Sequence, residues 1–161
     1  MHKKIIFVLF FVLVFLTACE TEDKQIVGTQ IYYIDSQMLR LVSVDFENNQ
    51  NTVQKQAEAV ISGLIEGADY NTKIKRMIPK NSDCLSVRVE KNKAYVDISG
   101  ESIGSFPDGR VAENLIVYQI VNSLTSIDGI DAVRFTIDGV AQKKFKGFID
   151  MRETFIPDYY I

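Results

Sequence analysis

The chain has 161 residues, of which 47% are hydrophobic and 24% charged, with no Trp, two Cys and one His. That size holds one ordinary domain plus a short extra segment and excludes two large domains. Nine Gly, three Pro and charges of both signs throughout exclude collagen-like, low-complexity and disordered chains. The net charge is −3, and loss of an N-terminal segment with Lys3 and Lys4 lowers Lys and Arg from 18 to 16 against 21 acids, giving −5. Such a surface repels a polyphosphate backbone, and the cluster Lys143, Lys144 and Lys146 is too short to reverse that, so nucleic acid is not an expected partner.

Residues 1–18 read as a leader. His2, Lys3 and Lys4 form a cationic start, and an unbroken apolar run follows from Ile5 to Leu16. Twelve helical residues span about 18 Å, short of the roughly 30 Å hydrocarbon layer, so the run suits secretory targeting rather than a permanent transmembrane helix. It ends in Leu16-Thr17-Ala18-Cys19, which resembles the bacterial lipobox. That motif puts small residues before the cut, where a signal peptidase must approach the backbone, and supplies a thiol as nucleophile toward lipid. Cys19 is the expected lipid attachment site: it would carry a diacylglyceryl thioether and become the new N-terminus. Two acyl chains hold a soluble body on a bilayer, since each buried methylene contributes about 0.8 kcal/mol and one chain is marginal. Residues 19–28 (Glu20, Thr21, Glu22, Asp23, Lys24 and their neighbours) are polar, acidic and aperiodic, an expected tether reaching at most roughly 30 Å. The remaining 29–161 form a single expected domain on the extracytoplasmic face.

Gln30 to Asp35 is β-branched and aromatic, and Leu39 to Phe46 alternates at Val42, Val44 and Phe46, which predicts a hairpin turning at Ser36-Gln37. After an Asn-rich link, Val53, Ala57, Val60, Ile61, Leu64 and Ile65 form one helical stripe, with Asn51 or Thr52 as the N-cap, Gln54 three residues past Asn51, and Gly67 as the stop. An irregular stretch through Asp69, Asn71 and Pro79 leads to a second hairpin, Leu85 to Val89 and Ala94 to Ile98, around Asn92. Gly100 to Gly109 reads as a loop, and Asp108 is placed to cap a helix from Arg110 to about Thr125. That helix is apolar nearly all round, so it belongs in the middle of the domain or against a partner. Val133, Phe135 and Ile137 alternate, and Asp138-Gly139 predicts a third hairpin with Val140 to Phe145. The order ββαββαββ implies an α+β domain, its sheet largely antiparallel or mixed, with both helices on one face.

Several of these pieces together resemble the GerMN domain of sporulation and spore-germination proteins. Tyr32-Tyr33-Ile34-Asp35 stands before a helix ending in Leu64-Ile65-Glu66-Gly67, and Ile78-Pro79 precedes the central hairpin, which ends in Tyr95-Val96-Asp97-Ile98-Ser99. Gln119 to Thr125, Val133-Arg134-Phe135, Ile137-Asp138-Gly139 and Gly147-Phe148-Ile149-Asp150-Met151 follow in order, over about 30 to 155. The resemblance implies a non-enzymatic lipoprotein at the cell envelope, acting in sporulation, germination or envelope signalling. It also implies partners among envelope or sporulation proteins, or self-assembly, because the fold is similar to small αβ modules that build rings in the sporulation channel. The protein that gave the family its name carries two copies of the domain; this chain has room for one.

The residues themselves argue against catalysis. The only His, His2, leaves with the leader, so a His-dependent triad has no base. Once Cys19 is lipidated, Cys84 has no disulfide partner and reads as a small buried apolar residue. No zinc, calcium, phosphate-loop or dinucleotide motif is present, so no metal, cofactor or catalytic residue is expected. Asp35, Asp97 and Asp138 are the carboxylates near strand ends, with turn chemistry as their ordinary role. Tyr32, Tyr33, Tyr159 and Tyr160 could form an aromatic patch for a glycan or peptide. The alternative function is a ligand-binding accessory of an envelope sensor or peptidoglycan enzyme. A concave pocket would favour that alternative, and a flat apolar patch or open sheet edge would favour protein assembly.

Overall fold

The computed structural model describes residues 28–68, 73–80 and 85–161. The expected leader, all of the expected tether except Gly28, and both Cys19 and Cys84 lie outside the described residues.

Among the described residues, two sheets and two α-helices follow from the patterning. β1 (Gln30–Asp35) turns Ile31, Tyr33 and Ile34 inward and pairs antiparallel with β2 (Leu41–Asp45), placing Ile31 opposite Val44 and Tyr33 opposite Val42. β2 starts two residues later than the alternation predicts, because Leu39 and Arg40 are consumed in the turn: Met38 has φ +58°, and Asp35 Oδ1 accepts from Leu39 N at 2.8 Å. α1 (Val53–Glu66) buries Ala57, Val60, Ile61 and Leu64, and Thr52 Oγ1 accepts from Lys55 N at 3.2 Å. Gly67, at φ +68°, ends the helix, and the Arg76 guanidinium donates to the last carbonyls, those of Ile65 and Glu66.

β3 (Ile74–Lys75), within the stretch expected to be irregular, adds two residues to the free edge of β1. β4 (Leu85–Glu90) and β5 (Lys93–Ile98) form the second hairpin, whose two turn residues, Lys91 and Asn92, both have positive φ, as a two-residue I′ turn requires. A 3₁₀ turn, Gly100–Ser105, stands in the expected loop. α2 (Arg110–Thr125) then crosses over to β6 (Ala132–Ile137), which pairs parallel with β5. Gly109, not Asp108, is the N-cap of α2, because the Asp108 carboxylate is engaged by Lys146 Nζ at 2.7 Å.

The α+β class and its mixed pairing match expectation. The predicted single sheet is instead two three-stranded sheets, β2-β1-β3 and β4-β5-β6. α1 packs on β4 and β1, α2 on β1 and β6, and the helices touch each other, so the helix pair serves both sheets. This explains why α2 is apolar all round: eleven of its sixteen residues are buried. The third hairpin begins but does not continue. Asp138 and Gly139 make the turn and Ile137 exchanges two backbone bonds with Val140, yet residues 140–144 are exposed and leave the sheet. The edge of β6 that they would have paired with is taken by Phe155, which exchanges both backbone bonds with Val133 at 2.8 Å.

Candidate functional site

The C-terminal segment forms a strap across α2. Phe155 anchors it, buried with its ring edge-on to Phe135 and Tyr118. Three residues on, the Asp158 backbone meets the buried Asn122 side chain twice: Asn122 Nδ2 donates to Asp158 O at 2.6 Å, and Asn122 Oδ1 accepts from Asp158 N at 3.0 Å. Ile161 O then accepts from Leu41 N at 3.0 Å, tying the strap to the first sheet. On the same helix, Ser123 Oγ accepts from Tyr32 N, and Ser126 Oγ both accepts from Gln30 N and donates to Gln30 O. β1 therefore runs along α2 with Gln30 at the helix C-terminus, and Gly28, where the described chain begins, lies beside residues 125–131.

At the opposite pole the molecule displays apolar side chains. Leu39, from the β1–β2 turn, is 73% exposed, Val111 in the first turn of α2 is 62% exposed, and Tyr160 on the strap is fully exposed. With Arg110, Ile149 and Ile161 they line one shallow groove. Arg110 lies over the Phe148 ring at 5.0 Å, extending the face with a cation–π contact. The loop that carries Phe148 is locked from below by the buried Glu113, whose Oε2 accepts from Phe148 N and Ile149 N at 3.0 Å each. Three large apolar groups exposed around one groove are unusual for a surface that meets only water. The length of α2, about 22 Å for fifteen rises of 1.5 Å, separates this pole from the one at which Gly28 sits.

An open sheet edge is the weaker candidate. On β4 the Gln54 side chain, expected as a capping-box partner, reaches across instead: Nε2 donates to Val87 O at 2.9 Å and Oε1 accepts from Val89 N at 2.8 Å. This amide occupies two backbone groups that an added strand would need.

The three carboxylates near strand ends do turn work. Asp97 Oδ1 accepts from Thr136 Oγ1 at 2.5 Å and from Gly139 N at 2.8 Å, Asp138 Oδ1 accepts from Gly100 N at 2.9 Å, and Asp35 closes the first turn. Asp97 and Asp138 thus come together at one end of the second sheet, locking the loops there, whereas Asp35 belongs to the other sheet. The four tyrosines do not form one patch. Tyr32 and Tyr159 pair with ring centroids 5.7 Å apart, Tyr33 is buried with its hydroxyl donating to Gly63 O, and Tyr160 joins the apolar pole. Burial, and after it the neighbouring Tyr159, holds the Tyr32 phenol above its ordinary pKa. Among the described residues no group of His, Cys, Asp and Glu comes together to hold a metal ion, and no helix is long and apolar enough to cross a membrane. Leu39 and Val111 went unremarked in the sequence as surface groups, because an apolar residue beside a turn or inside an apolar helix carries no mark of facing outward.

Two sheets served by one helix pair, with an apolar pole, define a small α+β module. The family model Germane, described as "Sporulation and spore germination", matches residues 30–143, and the chain belongs to that family. Solved structures share the fold. A candidate lipoprotein from Clostridium perfringens is 20% identical with a TM-score of 0.58, the match covering 73% of each chain. The first GerMN domain of the sporulation protein GerM from Bacillus subtilis is 19% identical with a TM-score of 0.57, over 78% of this chain and 92% of that one. The tandem GerMN domains of the same GerM are matched at 19% identity and a TM-score of 0.56, where this chain covers 44% of the two-domain length. No curated protein matches the sequence significantly.

Proposed function

We propose that this protein is a lipid-anchored envelope module that docks another protein and catalyses nothing. Cys19 carries the diacylglyceryl anchor, residues 19–28 are the tether, and the domain 29–161 stands on the extracytoplasmic face, in sporulation or germination. The observation that carries the reading is the position of the apolar groove formed by Leu39, Val111 and Tyr160, at the pole opposite Gly28. A body held at one end presents the other end to the space beyond the bilayer, so the groove faces proteins rather than lipid. A symmetric pair joined through this pole would point its two anchors in opposite directions, which disfavours a second copy from the same leaflet. The partner is therefore a different envelope protein with an apolar contact surface and an acidic group to meet Arg110. The family description supports the biological setting, and the lipoprotein description of the Clostridium perfringens relative supports the anchor.

The test is a photo-crosslinking residue at Val111 in the native host, with intact-mass analysis of the membrane fraction. The expected result is one captured envelope protein, lost when Leu39 and Val111 are both changed to Asp, together with a diacylated N-terminal Cys19. Those two exposed changes should leave thermal stability within about 0.5 kcal/mol. Capture of a second copy of this chain, or an unacylated protein released to the medium, would overturn the reading.

A further inference from the structure

The seat of the C-terminal strap is more specific than a covering segment needs. A chain segment that only shields apolar surface is held by apolar side chains, and a Leu in place of Asn122 would pack there without burying a polar group. The fold instead puts an amide with no solvent exposure at that point and commits both of its functions to the backbone of one residue, Nδ2 to Asp158 O and Oδ1 to Asp158 N. Bonds of this kind read main chain, so another polypeptide offering the same N–H and C=O meets the same clamp. Two contacts set what lies beside it. Asp158 Oδ1 accepts from Tyr160 N at 3.0 Å, an Asx turn that shapes the segment, and the Tyr159 ring centroid lies 5.7 Å from that of Tyr32.

The strap itself is lightly held. Phe155 is fixed independently, by two backbone bonds to Val133 and by the rings of Phe135 and Tyr118, so the domain is closed before the strap begins. Beyond it, Ile156, Tyr159 and Tyr160 are all more than half exposed. Among the described residues, the hydrogen bonds from 156–161 to the rest of the domain are the Asn122 pair and the one from Leu41 N to Ile161 O.

We propose that the strap is the resident occupant of a peptide-binding seat on the flank of α2, and that the seat accepts in its place an extended segment of another envelope protein. The chemistry of the strap defines that segment: an Asp or Asn whose backbone meets Asn122, followed directly by an aromatic residue that meets Tyr32. Exchange of straps between two copies would replace each contact with an identical one and gain nothing against the lost translational freedom, which selects a different polypeptide whose flanking residues add contacts of their own. The clamp lies about 16 Å from Val111, eleven rises along α2, and does not rest on docking at the apolar pole.

The probe is the acetylated peptide Ile156-Pro157-Asp158-Tyr159-Tyr160-Ile161, added to the full chain in nanodiscs with the Asn122 side-chain amide observed by NMR. In the parent the tethered strap competes at a millimolar effective concentration. Asp158→Pro in the chain removes the N–H that Asn122 Oδ1 accepts, and so weakens the strap without touching the seat. The peptide should bind this variant saturably and roughly tenfold more tightly than the parent, and N-methylation of its Asp should weaken it about fivefold, the factor for one net hydrogen bond. A photo-crosslinking residue in place of Tyr32, in membranes of the native host, should capture one envelope protein, more of it in Asp158→Pro and less when the peptide is added. The proposal is overturned if the peptide does not bind the variant, if N-methylation leaves its affinity unchanged, if the captured species is a second copy of this chain, or if capture responds to neither strap nor peptide. Loss of slow hydrogen exchange at Val133 and Phe155 in Asp158→Pro would also overturn it, since the strap would then be part of the fold and not its removable cover.

Discussion

Asn122→Asp probes the strap that helps to build the apolar pole. The Asn122 amide is one group that is donor and acceptor at once, and it uses both functions on the Asp158 backbone, at 2.6 and 3.0 Å. A carboxylate keeps the acceptor but sets an oxygen against the Asp158 carbonyl, and it buries a charge at a site with no solvent exposure. The domain's way to relieve this is to release residues 156–161, because Phe155 upstream is held separately by Val133 and two aromatic rings. The penalty is then limited to what the strap contributes. Three hydrogen bonds at about 1 kcal/mol each, the third being Leu41 N to Ile161 O, with about 1 kcal/mol from the Tyr32–Tyr159 contact, give about 4 kcal/mol, or roughly 13 °C in Tm for a domain of this size.

The introduced carboxyl, buried when the strap is closed, has a folded-state pKa above its unfolded value, and its protonated form can donate to the Asp158 carbonyl again. The folded state then binds more protons than the unfolded one in that window, so the deficit relative to the parent is largest at neutral pH and shrinks as pH falls toward about 4. Asn122→Ala loses the same bonds without that pH dependence. Thermal melts of the three proteins between pH 7 and pH 4.5, with hydrogen exchange at Tyr159 and Tyr160, measure both effects. A melting temperature for Asn122→Asp within 1 °C of the parent at neutral pH would falsify the clamp, as would a deficit that widens on acidification.

Other consequences follow from single contacts. Glu113→Ala strands the Phe148 and Ile149 amides and should cost about 2–4 kcal/mol in urea unfolding, while Glu113→Gln, which retains an acceptor oxygen, should cost about half as much; equal losses would show that the loop lock does not depend on that oxygen. Gly63 is helical, yet a Cβ there would stand 2.6 Å from Ile31 Cδ1, so Gly63→Ala should destabilise by about 1–2 kcal/mol despite its better helix propensity. Ile31→Val in the same chain should recover part of that loss, and a strictly additive double mutant would refute the clash. Arg152, by hydrogen bonding first and charge second, holds the Asp150 carboxyl well below the usual carboxylate range. The unfolded state therefore binds the extra proton as pH falls below about 4, stability declines there, and Asp150→Asn should flatten that part of the acid limb in pH-dependent melts.

The local pieces were legible in the sequence because their causes are local. Alternation marked the strands β1, β4, β5 and β6, the stripe from Val53 to Ile65 marked α1, and positive-φ turns fell at Asn92 and Asp138-Gly139 as their chemistry requires. The resemblance carried by those same pieces reached the right family. The all-round apolar pattern of α2 leaves a place in the middle of the domain or against a partner, and the fold puts the helix in the middle. What sequence could not supply was everything settled between distant residues. Nothing in Val140 to Phe145 reveals that Phe155 has claimed the edge beside β6, so a hairpin was expected where the chain leaves the sheet. The choice of two sheets over one rests on which strands meet, and no periodicity encodes that. Buried polarity was hidden for the same reason: Glu113 and Asn122 look like ordinary polar breaks in an apolar helix until the fold supplies two amides to the first and a backbone pair to the second. Composition and spacing fix what each segment can be, whereas the partners that satisfy or strand a side chain arrive from tens of residues away and exist only once the chain has closed.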